Sequence, residues 1–100
     1  MAVTSNEAKR ILAPVPAERA FWVNNGPVLK GIIDLGASAK KLTSQQFSHH
    51  VSASKNDFAK WTEEVISDAD LAKKIRQAKN KDDLAKAVTA RLVQLKKAMH

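Results

Sequence analysis

The sequence predicts an all-α fold: a single compact domain of five or six short helices in an irregular, orthogonal-leaning bundle with a long C-terminal helix. Three observations predict it. A capping residue followed three positions later by a carboxylate or amide occurs five times, at Thr4 with Glu7, Thr43 with Gln46, Ser54 with Asp57, Ser67 with Asp70 and Asn80 with Asp83. Such pairs satisfy the orphan N–H groups of a first helical turn. An apolar stripe at helical spacing follows each one. Alternation at period two is nowhere sustained, and residues 20–23, the only strand candidate, have no evident partner.

Taken in order, Thr4 opens the first helix, and Ala13-Pro14-Val15-Pro16 reads as an extended corner. Pro16 suits the first turn of a short helix over residues 17–23, which Asn24, Asn25 and Gly26 end because they tolerate left-handed backbone. Pro27 then opens a helix whose seam is Val28, Ile32, Leu35, Ala39 and Leu42, widened by Leu29 and Ile33. Gly36 in its middle is a mild cost that close helix packing would explain. Phe47, His50 and Val51 give one buried edge to a helix over residues 44–52, and Phe58, Trp61, Val65 and Ile66 give another over residues 56–66. Leu71, Ala72 and Ile75 drive the helix after Ser67. The last helix, residues 81–99, gathers Leu84, Val88, Leu92, Leu95 and Met99 on one arc, with Lys86 and Lys97 opposite.

One hundred residues make one domain, 1–100, able to bury roughly 60 to 65% of its unfolded surface without staples. The absence of cysteine excludes disulfide frameworks, thiolate metal sites, iron–sulfur clusters and cysteine nucleophiles. No apolar run approaches the ~20 residues that cross a bilayer, and residues 1–16 lack an apolar leader core. A cytoplasmic, unprocessed chain is the expectation.

Charge is unevenly spread. Over residues 1–72 eight cations balance eight carboxylates, whereas over residues 73–100 nine cations face only Asp82 and Asp83, so the last part carries the whole net charge of +7. A polyanionic partner would meet that end.

Catalytic and metal motifs are weak by comparison. His49 and His50 are adjacent, so on a helix they point ~100° apart and do not chelate one ion from one face. His50 reads instead as a half-buried residue near a helix C-terminus, with Asp57 as a hydrogen-bond partner across the turn. Ser48, Ser52, Ser54, the histidines and Asp57 supply the letters of a hydrolase triad without its strained nucleophile turn. Glu63-Glu64 and Asp82-Asp83 read as solvated helix surface. Three glycines, Gly26, Gly31 and Gly36, make no phosphate loop. No enzymatic activity, metal or cofactor is expected.

The segment HHVSASKNDFAKWTEEVISDADLAKKI resembles the signature of small archaeal and bacterial domains of unknown function: His50, then Asn56-Asp57-Phe58, Trp61, and Asp70-Leu71-Ala72. Upstream, FWVNNGPVLKGIIDL is similar to their aromatic, glycine- and leucine-containing entry helix. The likeness spans about residues 20–75. Thr62 departs from it where an aliphatic residue usually follows the tryptophan, and Ser67 where glycine often precedes the aspartate. The resemblance implies a binding module that occurs alone or attached to other domains, and it implies no activity. Physically the signature reads as architecture, with Phe58 and Trp61 on one helical face, packed on the 28–42 seam, and Phe21 or Trp22 closing the far side.

The leading functional expectation is a small, basic, non-enzymatic protein that binds duplex DNA or structured RNA through phosphate contacts, in the manner of a nucleoid-associated or accessory protein. Lys73, Lys74, Arg76, Lys79 and Lys81 would carry most of the binding, and Lys86, Arg91, Lys96 and Lys97 less. A second expectation is a protein-interaction or adapter module, in one form a homodimer, using a patch of Phe21, Trp22, Asn24 and Asn25. A third is a small-ligand pocket between Trp61, His50 and Phe21.

Overall fold

Among the described residues the regular elements are helices, apart from one two-stranded ribbon at the aromatic corner. The computed structural model describes residues 3–99. Among these the order is α1 (Ser5–Leu12), β1 (Phe21–Trp22), β2 (Val28–Leu29), α2 (Ile32–Ser38), α3 (Ser44–His50), α4 (Asp57–Trp61), α5 (Ala69–Arg76) and α6 (Lys81–Ala98). Short 3-10 turns at Ala17–Arg19 and Ala39–Lys41, and a π-helical turn at Thr62–Ile66, fill the joints.

Three helix starts fall where the caps predict. Thr4 Oγ1 accepts the Glu7 N–H at 3.1 Å, Thr43 and Gln46 form a reciprocal capping box, and Asn80 Oδ1 accepts the Asp83 N–H at 2.8 Å. Two starts move. Asn56, not Ser54, caps α4 by accepting the Ala59 N–H at 3.0 Å, and Asp68, not Ser67, caps α5 by accepting the Leu71 N–H at 3.1 Å. In each case the side chain that wins has a second, distant partner. Asn56 also donates to the Ile75 carbonyl at 3.0 Å, and Asp68 holds Arg91. Ser67 instead takes a left-handed conformation with φ of 62°, ending the wide π turn. Arg10 closes that end by donating to the Ile66 and Ser67 carbonyls at 3.1 and 3.3 Å.

The aromatic corner replaces the end of one expected helix, which keeps only the turn at Ala17–Arg19, and the start of the next. Residues 20–23 do have a strand partner, and β1 pairs antiparallel with β2 in the register Phe21 to Leu29 and Trp22 to Val28. Pro27 sits in the connecting turn, its carbonyl accepting the Val23 N–H at 3.1 Å, while Asn25 supplies the left-handed residue at φ of 54°. The next helix therefore begins at Ile32, with Asp34 Oδ2 reaching back to the Lys30 N–H at 2.9 Å. Strand alternation sends Phe21 and Val23 into the core and leaves Trp22 outside.

Inside, Phe21 stacks on Phe58 at 4.8 Å between centroids and meets Trp61 edge-on at 5.7 Å. Offset and edge-on pairs of this kind add about 0.5 to 1.5 kcal/mol each beyond area burial. Trp61 is buried and donates its indole N–H to the Arg19 carbonyl at 2.8 Å, so its one polar atom is satisfied.

Helix α6 packs against α1, α2 and α5 through Leu84, Ala85, Val88 and Leu95. A Cβ on Gly36 of α2 would lie only 2.7 Å from Leu92 Cδ1 and 3.3 Å from Val88 Cγ1, so the missing side chain is what allows the two helices to approach. The stripe ends one residue early, with Met99 exposed. Among the described residues no helix is long and apolar enough to cross a membrane.

Candidate functional site

An open cleft of about 610 Å³ lies between the loop after α3 and the connection from α5 to α6. Its loop wall is a miniature hairpin. Val51 and Asn56 form an isolated antiparallel bridge, the Ser52 N–H donates to the Lys55 carbonyl at 2.8 Å, and the Ser54 N–H donates to Ser52 Oγ at 3.3 Å. Asn56 fastens this hairpin to the opposite wall, because its amide donates to the Ile75 carbonyl one residue before Arg76. Lys55, Arg76 and Lys79 line the cleft together, with the hydroxyl-bearing Ser48, Ser52 and Ser54 on the same lining. No carboxylate lines it.

Two of these cations have acidic neighbours outside the lining. Arg76 pairs with Glu63, and Lys55 Nζ lies 3.5 Å from Asp57 Oδ2, with side chains about half exposed in the first pair and 50 and 36% exposed in the second. Exposed pairs of this kind are worth at most about 1 kcal/mol and exchange readily for another anion.

The nine cations predicted as a binding surface divide into distinct groups. Arg76 and Lys79 share the cleft. Lys74 lies on the other flank of α5, beside a groove of about 180 Å³ against α6. At ~100° per residue, Lys74 and Arg76 point roughly 160° apart, so the run of residues 73–81 is not one continuous patch. Lys73 is exposed, as are Lys86, Lys96 and Lys97 along α6. Two of the nine are engaged within the fold. Lys81 Nζ donates to the Leu42 carbonyl at 2.8 Å, tying α6 to the turn after α2. Arg91 is clamped on Asp68, with Nε to Oδ2 at 2.8 Å and Nη2 to Oδ1 at 3.0 Å. The acid comes from the charge-balanced part of the chain, which charge counting by segment does not anticipate.

Lys55 is the cleft residue that sequence reasoning missed, because it belongs to the segment with no net charge. The available signal was Asn56, whose amide could cap α4 while reaching a second element.

At the ribbon, Phe21 is buried and leaves the predicted partner patch. Trp22 is 70% exposed, and Asn25 is exposed beside it. The tip is fixed: the Asn24 N–H donates to His50 Nε2 at 3.0 Å, and the Asn25 carbonyl accepts from Gln46 Nε2 at 3.0 Å. Because Nε2 accepts, the neutral ring carries its proton on Nδ1, which donates to Asp57 Oδ2 at 2.9 Å as the sequence spacing suggested. Both ring nitrogens are therefore occupied, and the acceptor that a triad serine would need is given to a backbone amide. Phe21 meets both His50, edge-on at 4.9 Å, and Trp61, edge-on at 5.7 Å.

Burial alone would raise the Asp57 pKa, but the hydrogen bond with His50 and the Lys55 ammonium outweigh it and hold the carboxyl below its ordinary value.

Comparison with protein-family profiles, with curated proteins and with solved structures found no match.

Proposed function

We propose that the chain binds nucleic acid through phosphate-backbone contacts, as a nucleoid-associated or accessory protein does, with Lys55, Arg76 and Lys79 at the centre of the contact. The observation that carries this reading is three cations around one cleft whose lining contains no carboxylate. Phosphates that displace the exposed Glu63 and Asp57 pairings gain charge-assisted hydrogen bonds and release counterions. Lys73, Lys74, Lys86, Lys96 and Lys97 act as outlying contacts that raise affinity without choosing sequence. The net charge of +7 favours encounter with any polyanion.

Fluorescence anisotropy of labelled duplex DNA and structured RNA, titrated at several salt concentrations, tests the proposal. The expected result is an affinity that falls steeply and log-linearly with salt. No binding at low salt, or binding indifferent to salt, contradicts it.

Trp22 supports a second reading, a protein-interaction module. An indole that is 70% exposed on a tip held by two hydrogen bonds to α3 is a preorganised contact. Light scattering and acrylamide quenching address it together. A self-associating chain with concentration-dependent shielding of Trp22 agrees with a homodimer, and a monomer whose Trp22 stays open at all concentrations opposes one.

A further inference from the structure

We infer that the cleft bounded by Lys55, Arg76 and Lys79 is a site for a phosphomonoester, the group found at a phosphorylated strand end or on a free nucleotide, in preference to the internal diesters of a strand. The inference rests on the phosphate-binding reading of the same cleft and narrows it.

Shape is the first argument. A terminal phosphate has chain on one side only and enters a recess further than an internal diester, which has chain on both sides. The cleft is a recess of about 610 Å³, within the size range of small-molecule sites. Charge is the second. An internal diester carries one negative charge on two free oxygens, whereas a monoester carries about −1.5 to −2 at neutral pH on three. Three cations share one lining that contains no carboxylate, two of them in exposed pairings that an anion of higher charge displaces more readily.

The remaining lining indicates what part of a nucleotide is held. Ser52 Oγ accepts from the Ser54 N–H and lies 3.3 Å from Ser54 Oγ. That pair shares one hydroxyl proton and leaves the other able to donate to an anion. Phe47, the only aromatic on the lining, is 8% exposed and stacks toward Phe58, so it offers a base little surface. Recognition is therefore of the phosphate, and a strand end and a free nucleotide share the chemistry. Asn56 keeps the two walls together and is a positioning residue.

The test titrates the intact chain with four probes at one ionic strength: a single strand with a 5′- or 3′-phosphate, the same strand with hydroxyl ends, a nucleoside monophosphate, and inorganic phosphate. The expected result is about tenfold tighter binding of the phosphorylated strand than of the hydroxyl strand, with displacement by inorganic phosphate. Arg76→Gln and Lys79→Gln, both surface changes, remove that difference, while Lys9→Gln on α1 retains it. A nucleoside monophosphate that binds as tightly as the phosphorylated strand assigns the site to free nucleotides; a weaker one assigns it to strand ends. Equal affinity for the two strands, with salt dependence intact, overturns the monoester site and leaves backbone binding standing. Failure of every probe overturns both.

Discussion

Arg91 of α6 closes on Asp68 at the start of α5 through two parallel N–H to carboxylate bonds of 2.8 and 3.0 Å, and the aspartate is all but inaccessible to water. The same carboxylate caps α5 through the Leu71 N–H at 3.1 Å, so one acid fixes a helix start and docks it on the longest helix. Arg91 also donates to Gln94 Oε1 at 3.1 Å, which directs the guanidinium toward the pair. A cation that looks like binding surface in the sequence is thus part of the frame.

Removing one partner of this pair leaves a buried charge uncompensated. Arg91→Met is expected to cost about 3 to 5 kcal/mol, read as a lower urea midpoint. Adding Asp68→Asn to that variant recovers part of the loss, because the unpaired charge is gone. A single Arg91→Met change that leaves the midpoint unmoved contradicts the structural role.

The two tryptophans separate in the same assay. Trp61→Ala opens the aromatic cluster and loses the bond to the Arg19 carbonyl, at an expected cost of about 3 to 5 kcal/mol. Trp22→Ala changes stability by no more than about 0.5 kcal/mol, because the indole is mostly in water. In emission, the Trp22→Phe protein retains the shielded, blue-shifted component and the Trp61→Phe protein the quenchable one.

Asp57 predicts an acid-side signature. Its folded pKa lies below the ordinary 3.8, so the unfolded chain binds the proton more readily. The resulting stability is complete above the unfolded value and is lost as pH falls through the lower folded value. Urea midpoints measured from about pH 6 down to about pH 3 therefore fall below about pH 4, and Asp57→Asn removes that part of the fall. A parallel decline in both proteins contradicts the assignment.

Glu63 competes with the cleft for Arg76. Glu63→Gln is expected to raise phosphate or nucleic-acid affinity about twofold to fivefold with little change in stability, since the pair is exposed. Lower affinity in that variant contradicts the view that Arg76 is available to an anion.

The sequence is legible wherever a single local rule decides. Thr4, Thr43 and Asn80 are each paired with the residue three positions on, Glu7, Gln46 or Asp83, and their helices start there. Ser54 with Asn56, and Ser67 with Asp68, offer competing caps within two positions, and the choice falls to Ile75 and Arg91, which lie far away in sequence. The ribbon is hidden for a related reason. Val28 and Leu29 fit the helical seam of Ile32 and Leu35 as well as they fit a strand, and only pairing with Phe21 and Trp22 decides. At the site, Arg76 and Lys79 are visible as part of a basic run. Lys55 joins them on one lining because Asn56 bridges two helices, and Lys81 and Arg91 are drawn against the fold by partners 39 and 23 positions away.

Salt dependence of strand binding, compared between the native chain and the Lys55→Gln, Arg76→Gln, Lys79→Gln triple variant, tests the central claim most directly. On duplex DNA each phosphate neutralised contributes about 0.9 to the log–log slope. The account predicts that the triple variant, folded as the native chain by circular dichroism, loses roughly two to three from the magnitude of that slope. An unchanged slope and affinity would place the contact elsewhere on the molecule and contradict the cleft as its centre.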